Sequence, residues 1–486
     1  MRHLLFFILL FQSIGILGQS KDSFTVQDKL NRFLEITDTL REKTNNPGMA
    51  MAIFYDHHLI LKRTYGLRNK KEQWPVDNKT LFQIGSLTKA FTGVIGFKLE
   101  EQGKIDWNEK VVHYLPHFEL QDRYAAQNAR FQDLFTHKIG VDKHYYWMYG
   151  PHLQRDEILK KLKYLSFKGS FRENFLYNNQ MYVVAGLVEE KVSGKSWDQL
   201  IKENIFEPLD MKNSYTHMSE FESCQNNTVS YSPDGNEIIP NVNIDNYNSA
   251  GSITSTIDDM SQWLQLFLNR GVIDKKTILN EDQFQRSIMP LTVRYPDEEV
   301  FYGIGWEINT KKRLIFHSGS TAGQRSILCF NPEKGFGLVV LTNQQSNLPN
   351  ALMNYAANIF LEGSFERIDG LDKFIEDTTK PFDKVKEDYE IKDNAVLKKI
   401  KNIEGTYRHP AYGDLTISRQ SDYKFNLKYY DFFGAIEYKK ADEFTAHLNF
   451  FLGAQNLDFT VNFANKKIKS LTVYMPNSQP LEFVKN

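Results

Sequence analysis

Thr80-Leu81-Phe82-Gln83-Ile84-Gly85-Ser86-Leu87-Thr88-Lys89 is the stretch that decides how this chain is read. After Ser86 the apolar residues Leu87, Ala90, Phe91, Val94 and Ile95 recur with helical spacing, which predicts a helix beginning at the serine. Lys89 then follows one turn later on the same face. A lysine beside a serine hydroxyl, once desolvated enough to lose its proton, activates that oxygen for attack on a carbonyl carbon. The helix start adds N–H groups and a positive dipole end that favour developing negative charge. The same spacing recurs at Ser421-Asp422-Tyr423-Lys424, inside a β-rich tail, where residues three apart point to opposite faces of a strand. Context therefore selects Ser86.

Working outward, two further motifs each occur once. Tyr177-Asn178-Asn179 precedes the apolar run Met181-Tyr182-Val183-Val184-Ala185, so these side chains sit on a turn entering a helix. A tyrosine there can pass a proton to a leaving group, and an asparagine amide can hold a substrate carbonyl. His317-Ser318-Gly319 lies on an apolar strand and is followed by Ser320, Thr321, Ala322 and Gly323, small residues that let a substrate backbone approach the strand edge. Singly, a tyrosine at a helix entry and a histidine on a strand are ordinary packing residues.

The arrangement around them is a sheet whose strands come from both ends of one region, with a helical insert between. A helix over about 26–43 ends at Asn46-Pro47-Gly48, and strands over 49–55 and 59–62 are joined by a short polar turn, hence antiparallel. Residues 86–268 read as mainly helical, punctuated by Gly103, Gly140, Gly194 and Gly271. Strand patterns return at 302–308, 313–316, 326–330 and 335–341, followed by a helix over about 349–360. A charge-dense connector then leads to about eight short alternating segments, which predict a small antiparallel barrel or sandwich.

Together and in this order, the three motifs resemble the serine β-lactamase and penicillin-binding-protein superfamily, most closely its class C β-lactamase, DD-peptidase and esterase branch. The resemblance extends through Pro47-Gly48-Met49-Ala50, Leu134-Phe135-Thr136-His137, Phe206-Glu207-Pro208-Leu209-Asp210-Met211 and Ala250-Gly251-Ser252. It continues in Ser255-Thr256-Ile257-Asp258-Asp259-Met260 and Tyr302-Gly303-Ile304-Gly305-Trp306. The tail, with Gly405-Thr406-Tyr407 and Tyr412-Gly413-Asp414-Leu415, resembles the lipocalin-like domain of some related peptidases. The fold class implied is α/β (α+β): an antiparallel sheet flanked by helices with an all-helical insertion, plus a small C-terminal antiparallel β-barrel. The resemblance makes Ser86 the acylated nucleophile, Lys89 its base and Tyr177 the proton shuttle, with Lys89 and Tyr177 both open as the true base. Asn179 would contact the substrate amide, the His317, Ser318 and Gly319 strand would bind substrate, and the Ser86 and Ser320 N–H groups would hold the oxyanion. Where many β-lactamases carry lysine this chain has His317, so a fixed positive charge suited to a β-lactam carboxylate is missing. Lys138-Ile139 and Ser252 also depart from the family pattern, and the 255–259 segment reads as a helix N-cap ahead of any direct part in catalysis.

Composition agrees with a multi-part globular enzyme. The 486 residues exceed one ordinary domain. With 59 Lys+Arg against 60 Asp+Glu the chain lacks the positive field of a nucleic-acid binder, and 41% hydrophobic residues exclude overall disorder. Two cysteines, Cys224 and Cys329, exclude a disulfide framework and a Cys-built zinc site; one bridge stays open, although Cys329 in its apolar run reads as a buried thiol. Met1-Arg2-His3, the apolar stretch to Leu17 and the small Gly18 predict a signal peptide over 1–18, with a buried helix or short anchor as the alternative. Nothing later resembles a membrane span.

The sequence thus divides into the signal 1–18, a hydrolase region 24–364, a charged linker 365–394 and a β-rich region 395–486. It leads us to expect an exported serine hydrolase, periplasmic or secreted, acting without metal or cofactor on a small-molecule or peptide substrate. Amide bonds are the leading target, including D-amino-acid peptides, with esters and then β-lactams behind. A sensor of cell-wall peptides, acylatable or non-catalytic, is the alternative of another class. Oligomeric state has no signature in the sequence.

Overall fold

Helix α1 (Val26–Lys43) starts on a reciprocal cap in this computed structural model: Thr25 Oγ1 accepts from the Asp28 N–H at 3.1 Å, and the Asp28 carboxylate accepts from the Thr25 N–H at 2.9 Å. The structure describes residues 24–149, 153–366, 368, 370–384, 388–450, 453–476 and 478–486, so the expected signal segment lies outside the described residues. Phe33, Ile36 and Leu40, spaced three and four apart, turn one stripe of α1 inward.

Strands β1 (Gly48–Tyr55) and β2 (His58–Asn69) form the antiparallel pair that the short connection predicts, with Asp56 and His57 turning the chain at φ 49° and 63°. The sheet adds β3 (Trp74–Pro75), β4 (Thr292–Tyr295), β5 (Val300–Tyr302), β6 (Glu307–Asn309), β7 (Leu314–Thr321), β8 (Gln324–Asn331) and β9 (Phe336–Thr342). Their order is β4-β5-β6-β7-β8-β9-β1-β2-β3, and β1 meets β9 antiparallel with Met49 opposite Thr342. Strands from both ends of the region therefore build one sheet.

The helical insert includes α2 (Thr88–Glu101), α3 (Asn179–Ser193) and α4 (Ile257–Leu268), and α5 (Leu348–Ala357) follows the last strand. Thr256 caps α4 by accepting from the Asp259 N–H at 3.2 Å, the structural reading of the 255–259 segment. Every residue of β1 but the last is buried, and alternation divides them. Met49, Met51 and Ile53 join the core beneath α1 and α5, while Ala50, Ala52 and Phe54 join the core that contains α4. A short strand pair, Phe82–Gln83 with Thr254–Ser255, brings the chain just before Ser86 alongside the 250–255 segment.

One expectation needs correcting. Residues 302–308 read as a single strand, but β5 ends at Tyr302, β6 begins at Glu307, and Gly303, Ile304 and Gly305 bend between them. Gly305 has φ +77°, and a Cβ there would lie 2.6 Å from the Ala90 backbone nitrogen. The chain must leave strand geometry to pass the first turn of α2.

After two short helices, Leu371–Thr378 and Asn394–Lys399, the tail forms a closed eight-stranded barrel. Its strands are β10 (Gly405–His409), β11 (Gly413–Ser421), β12 (Lys424–Tyr429), β13 (Phe432–Lys440), β14 (Glu443–Phe450), β15 (Gly453–Ala464), β16 (Lys467–Tyr474) and β17 (Leu481–Lys485). Inward residues alternate with outward ones, as with Phe425, Leu427 and Tyr429 or Leu457, Phe459 and Val461, and they fill the interior. Each such side chain contributes about 1.5–3 kcal/mol of transfer free energy. The barrel core is continuous with that of the helical insert, since Trp147 and Ile158 belong to one cluster with Ala411, Tyr412 and Phe483.

Cys224 and Cys329 are both free, and burial pushes the Cys329 thiol up, away from nucleophilic use. Among the described residues no helix is long and apolar enough to cross a membrane.

Candidate active site

Ser86 occupies a 3₁₀ turn, Gly85–Leu87, that runs directly into α2. The turn is pressed against strand β7. Gly85 has φ +54°, a Cβ on it would fall 2.5 Å from the Ser320 nitrogen, and a Cβ on Gly319 would fall 1.9 Å from the Ile84 carbonyl oxygen. Only glycine at both positions allows this approach, which sets Ser86 beside the backbone of Ser320.

Lys89, one turn into α2, is fully buried. Its Nζ lies 3.1 Å from Ser86 Oγ, 2.8 Å from Asn179 Oδ1 and 2.8 Å from the Ala250 carbonyl oxygen. Burial pushes its pKa well below the ordinary lysine value, and no acidic side chain among the described residues offsets that. The neutral amine is thereby made accessible, and the 3.1 Å contact then runs from the serine hydroxyl to the nitrogen.

Tyr177 donates its hydroxyl proton to Ser86 Oγ at 2.8 Å. The residue is half-buried as a whole, yet its phenol is enclosed, and burial pushes its pKa up so that it stays protonated. Its position follows from local sequence: Asn178 caps α3 by accepting from the Met181 N–H at 3.1 Å and donates to the Asp142 carbonyl at 2.9 Å. Tyr177 and Asn179 are thus held on either side of a fixed cap.

His317 stands behind these groups. Its Nδ1 lies 2.7 Å from the Ser318 carbonyl oxygen and must donate there, so Nε2 accepts from the Tyr302 hydroxyl at 3.0 Å. Burial pushes its pKa down to about 3. The imidazole is neutral with one fixed tautomer. Ser318 belongs by strand alternation to the other face, with Leu314 and Phe316, where it lines a cavity of about 750 Å³. Gly319 faces the nucleophile turn, and Ser320 is exposed. Pairing of β7 with β6 stops at Phe316 opposite Glu307, so among the described residues the β6 side of 317–321 carries no strand partner. This free edge is the kind of surface to which an extended peptide adds.

The structure therefore unites Ser86, Lys89, Tyr177 and Asn179 in direct contact, puts Gly319 and Ser320 against the nucleophile turn, holds His317 one layer back, and turns Ser318 away. It also brings in groups without assigned roles in the sequence reading. Tyr302 fixes His317, and the Ala250 carbonyl fixes Lys89. His137 packs against Tyr177 with ring centroids 4.3 Å apart and accepts from the Asn178 N–H at 3.0 Å. Arg294 sits at a register shift in β4, pairs with the buried Glu307, and lies over the Phe175 ring. Burial raises the Glu307 carboxyl to about 7 despite that partner. Tyr302 and His137 fell within quoted motifs; Arg294 and Glu307 have no local signature. Among the described residues no group of three or more His, Cys, Asp or Glu is placed to hold a metal ion.

Fold and site together define a member of the β-lactamase and transpeptidase class within the serine hydrolase superfamily. The chain belongs to the beta-lactamase family, whose model matches residues 33–361. It is 25% identical over 320 residues to Protein flp of Staphylococcus aureus (strain MW2), an alignment covering 65% of this chain and 63% of that protein. The chain thus spans somewhat less than two thirds of that relative's length. An unguisins hydrolase of Aspergillus campestris is 26% identical over 443 residues, covering 82% of this chain and 79% of that one. Among solved structures, the octameric penicillin-binding protein homologue from Pyrococcus abyssi superposes with a TM-score of 0.62 at 20% identity, over 94% of this chain and 100% of its own. At that identity the likeness speaks to fold.

Proposed function

We propose that this protein is an exported serine hydrolase that cleaves amide bonds, in peptides that include D-amino-acid residues, through an acyl-enzyme on Ser86. The observation that carries the reading is the convergence of Lys89 Nζ at 3.1 Å and Tyr177 OH at 2.8 Å on one serine oxygen. The basic start and apolar stretch of 1–18 support export to the periplasm or medium. A relative named as a hydrolase and a neighbour named as a penicillin-binding protein homologue support hydrolysis of amide-like bonds.

The contacts at Ser86 support this course of reaction. Neutral Lys89 takes the Ser86 proton as Oγ bonds to the substrate carbonyl carbon, and the carbonyl π electrons move onto its oxygen. The oxyanion is received by the N–H groups of Ser86 and Ser320, each such donor contributing about 3–4 kcal/mol to transition-state stabilisation. Tyr177 hands its proton to the leaving nitrogen, the C–N bond breaks, and the tyrosinate regains a proton from Lys89. Water then attacks the ester with the same groups in reverse, freeing the acid. Neutral His317 supplies no fixed charge at the strand, which favours peptides and esters over β-lactams.

The test is incubation with a fluorophosphonate, a fluorescent penicillin, a chromogenic ester and a D-amino-acid peptide panel, alongside Ser86→Ala. Labelling and turnover by wild type, both absent in Ser86→Ala, are expected. Equal behaviour of the two proteins rejects the nucleophile, and labelling without turnover on any substrate replaces the enzyme reading with that of an acylatable sensor.

A further inference from the structure

Residues 410–412, the turn joining β10 to β11, make three hydrogen bonds to the helical insert beside the site. The Tyr412 hydroxyl lies 2.6 Å from His144 Nδ1, the Ala411 carbonyl accepts from Trp147 Nε1 at 3.0 Å, and the Pro410 carbonyl accepts from Lys161 Nζ at 3.1 Å. His144 Nε2 lies 3.0 Å from the Ser166 carbonyl and donates to it, so Nδ1 accepts from the tyrosine. All of Ala411, Tyr412, His144 and Trp147 are buried. The turn is itself held rigid: His409 Nδ1 accepts from the Ala411 and Tyr412 N–H groups at 3.1 and 3.2 Å, and the Tyr429 hydroxyl donates to the Tyr412 carbonyl at 3.2 Å.

The segment it grips also touches the residues that flank Tyr177. Asn178 donates to the Asp142 carbonyl at 2.9 Å, and the Met148 sulfur lies 3.7 Å from Asn179 Nδ2, whose other amide atom holds Lys89. His144 adopts φ +43°, a conformation that needs outside support in a residue other than glycine. Met148, with Leu153, Arg155, Asn246 and Asn248, lines a cavity of about 480 Å³. The barrel turn thus holds His144 and Trp147, while the same segment meets Asn178 through the Asp142 carbonyl and Asn179 through Met148, which also lines the cavity.

We propose that the barrel is a specificity element of the active site, with Tyr412 and Trp147 as positioning residues that fix the Met148 wall and admit extended substrate chains past Asn179 to the cavity that Met148 lines. This inference rests on the hydrolase reading. The barrel acts through packing, so its loss of grip affects substrates that reach the cavity and spares those that occupy only the Ser86 pocket.

The experiment uses the full chain, Tyr412→Phe, Trp147→Phe and His144→Phe, with chromogenic esters whose acyl group lengthens from acetyl to an N-acetylated dipeptide. For Tyr412→Phe and Trp147→Phe we expect kcat/KM on the dipeptidyl ester to fall about tenfold, mainly through KM, the size of one lost buried hydrogen bond. The acetyl ester and fluorophosphonate labelling of Ser86 should stay within about twofold. The double variant Tyr412→Phe/His144→Phe should lose no more than His144→Phe alone, because that single variant already lacks the bond that Tyr412→Phe deletes. Uniform loss across the ester series, no loss in a variant whose melting temperature shows the bond is gone, or additive losses in the double variant overturn the proposal. If wild type turns over none of the esters, protection of Ser86 from labelling by the same series gives the readout. Failure of the hydrolase reading is distinct, because it appears as unlabelled wild type or labelled Ser86→Ala.

Discussion

The Tyr177 hydroxyl donates to Ser86 Oγ at 2.8 Å while burial keeps that phenol protonated, which under the proposed mechanism makes the tyrosine an acid first. An acid matters most when the leaving group is a poor one. Tyr177→Phe is therefore expected to lower kcat/KM on amides by about 10²- to 10³-fold, and by much less on nitrophenyl esters, whose leaving group departs unprotonated. Parallel kinetics on an amide and a nitrophenyl ester with the same acyl group check this; equal losses would assign Tyr177 to the attack step instead.

Lys89 ties activity to stability. In the unfolded chain its amine holds a proton up to about 10.5, whereas in the fold burial releases the proton at a much lower pH. Between those values the unfolded chain binds more protons, so stability rises with pH. Melting temperatures of wild type and Lys89→Met, measured from pH 6 to 10, should differ progressively in favour of wild type as pH rises, and Lys89→Met should be inactive throughout.

His317 has the same sign in another window. Its folded pKa of about 3 lies below the ordinary 6.5, so its contribution is present above pH 6.5 and is lost as pH falls toward 3, at up to about 1.4 kcal/mol per pH unit. Denaturant titrations from pH 7 to 4 should show a shallower loss in His317→Gln than in wild type. Activity should show no inflection from this residue near 6.5.

Gly319→Ala tests the contact between strand and nucleophile turn. Its new methyl would fall 1.9 Å from the Ile84 carbonyl oxygen and force the turn away from β7. We expect about a hundredfold loss of kcat with a stability loss of about 1–3 kcal/mol, read from steady-state kinetics and urea melts.

What was legible in the sequence was what local periodicity encodes. An apolar helical run places Ser86 and Lys89 at the start of one helix, another places Tyr177 and Asn179 at the entry of a second, and alternating apolar residues mark the barrel strands. The bend at Gly305 was missed because its cause is Ala90, a neighbour only in space. The side to which Ser318 points depends on the strand's register against β8, which no single strand reveals. Arg294 with Glu307, and His144 with Tyr412, are tertiary pairings without local pattern, and the Ala250 carbonyl that holds Lys89 has no side-chain signature at all.

The apolar cluster that runs from the helical insert into the barrel without a break also governs how the chain comes apart. Regions joined by a polar, separable interface melt one after another, whereas regions sharing buried aromatics must lose them together. Calorimetry should give one endotherm whose van't Hoff and calorimetric enthalpies agree. A chain cut at the linker would leave Trp147 and Tyr412 facing water on two fragments, and such fragments would aggregate rather than persist as independent modules.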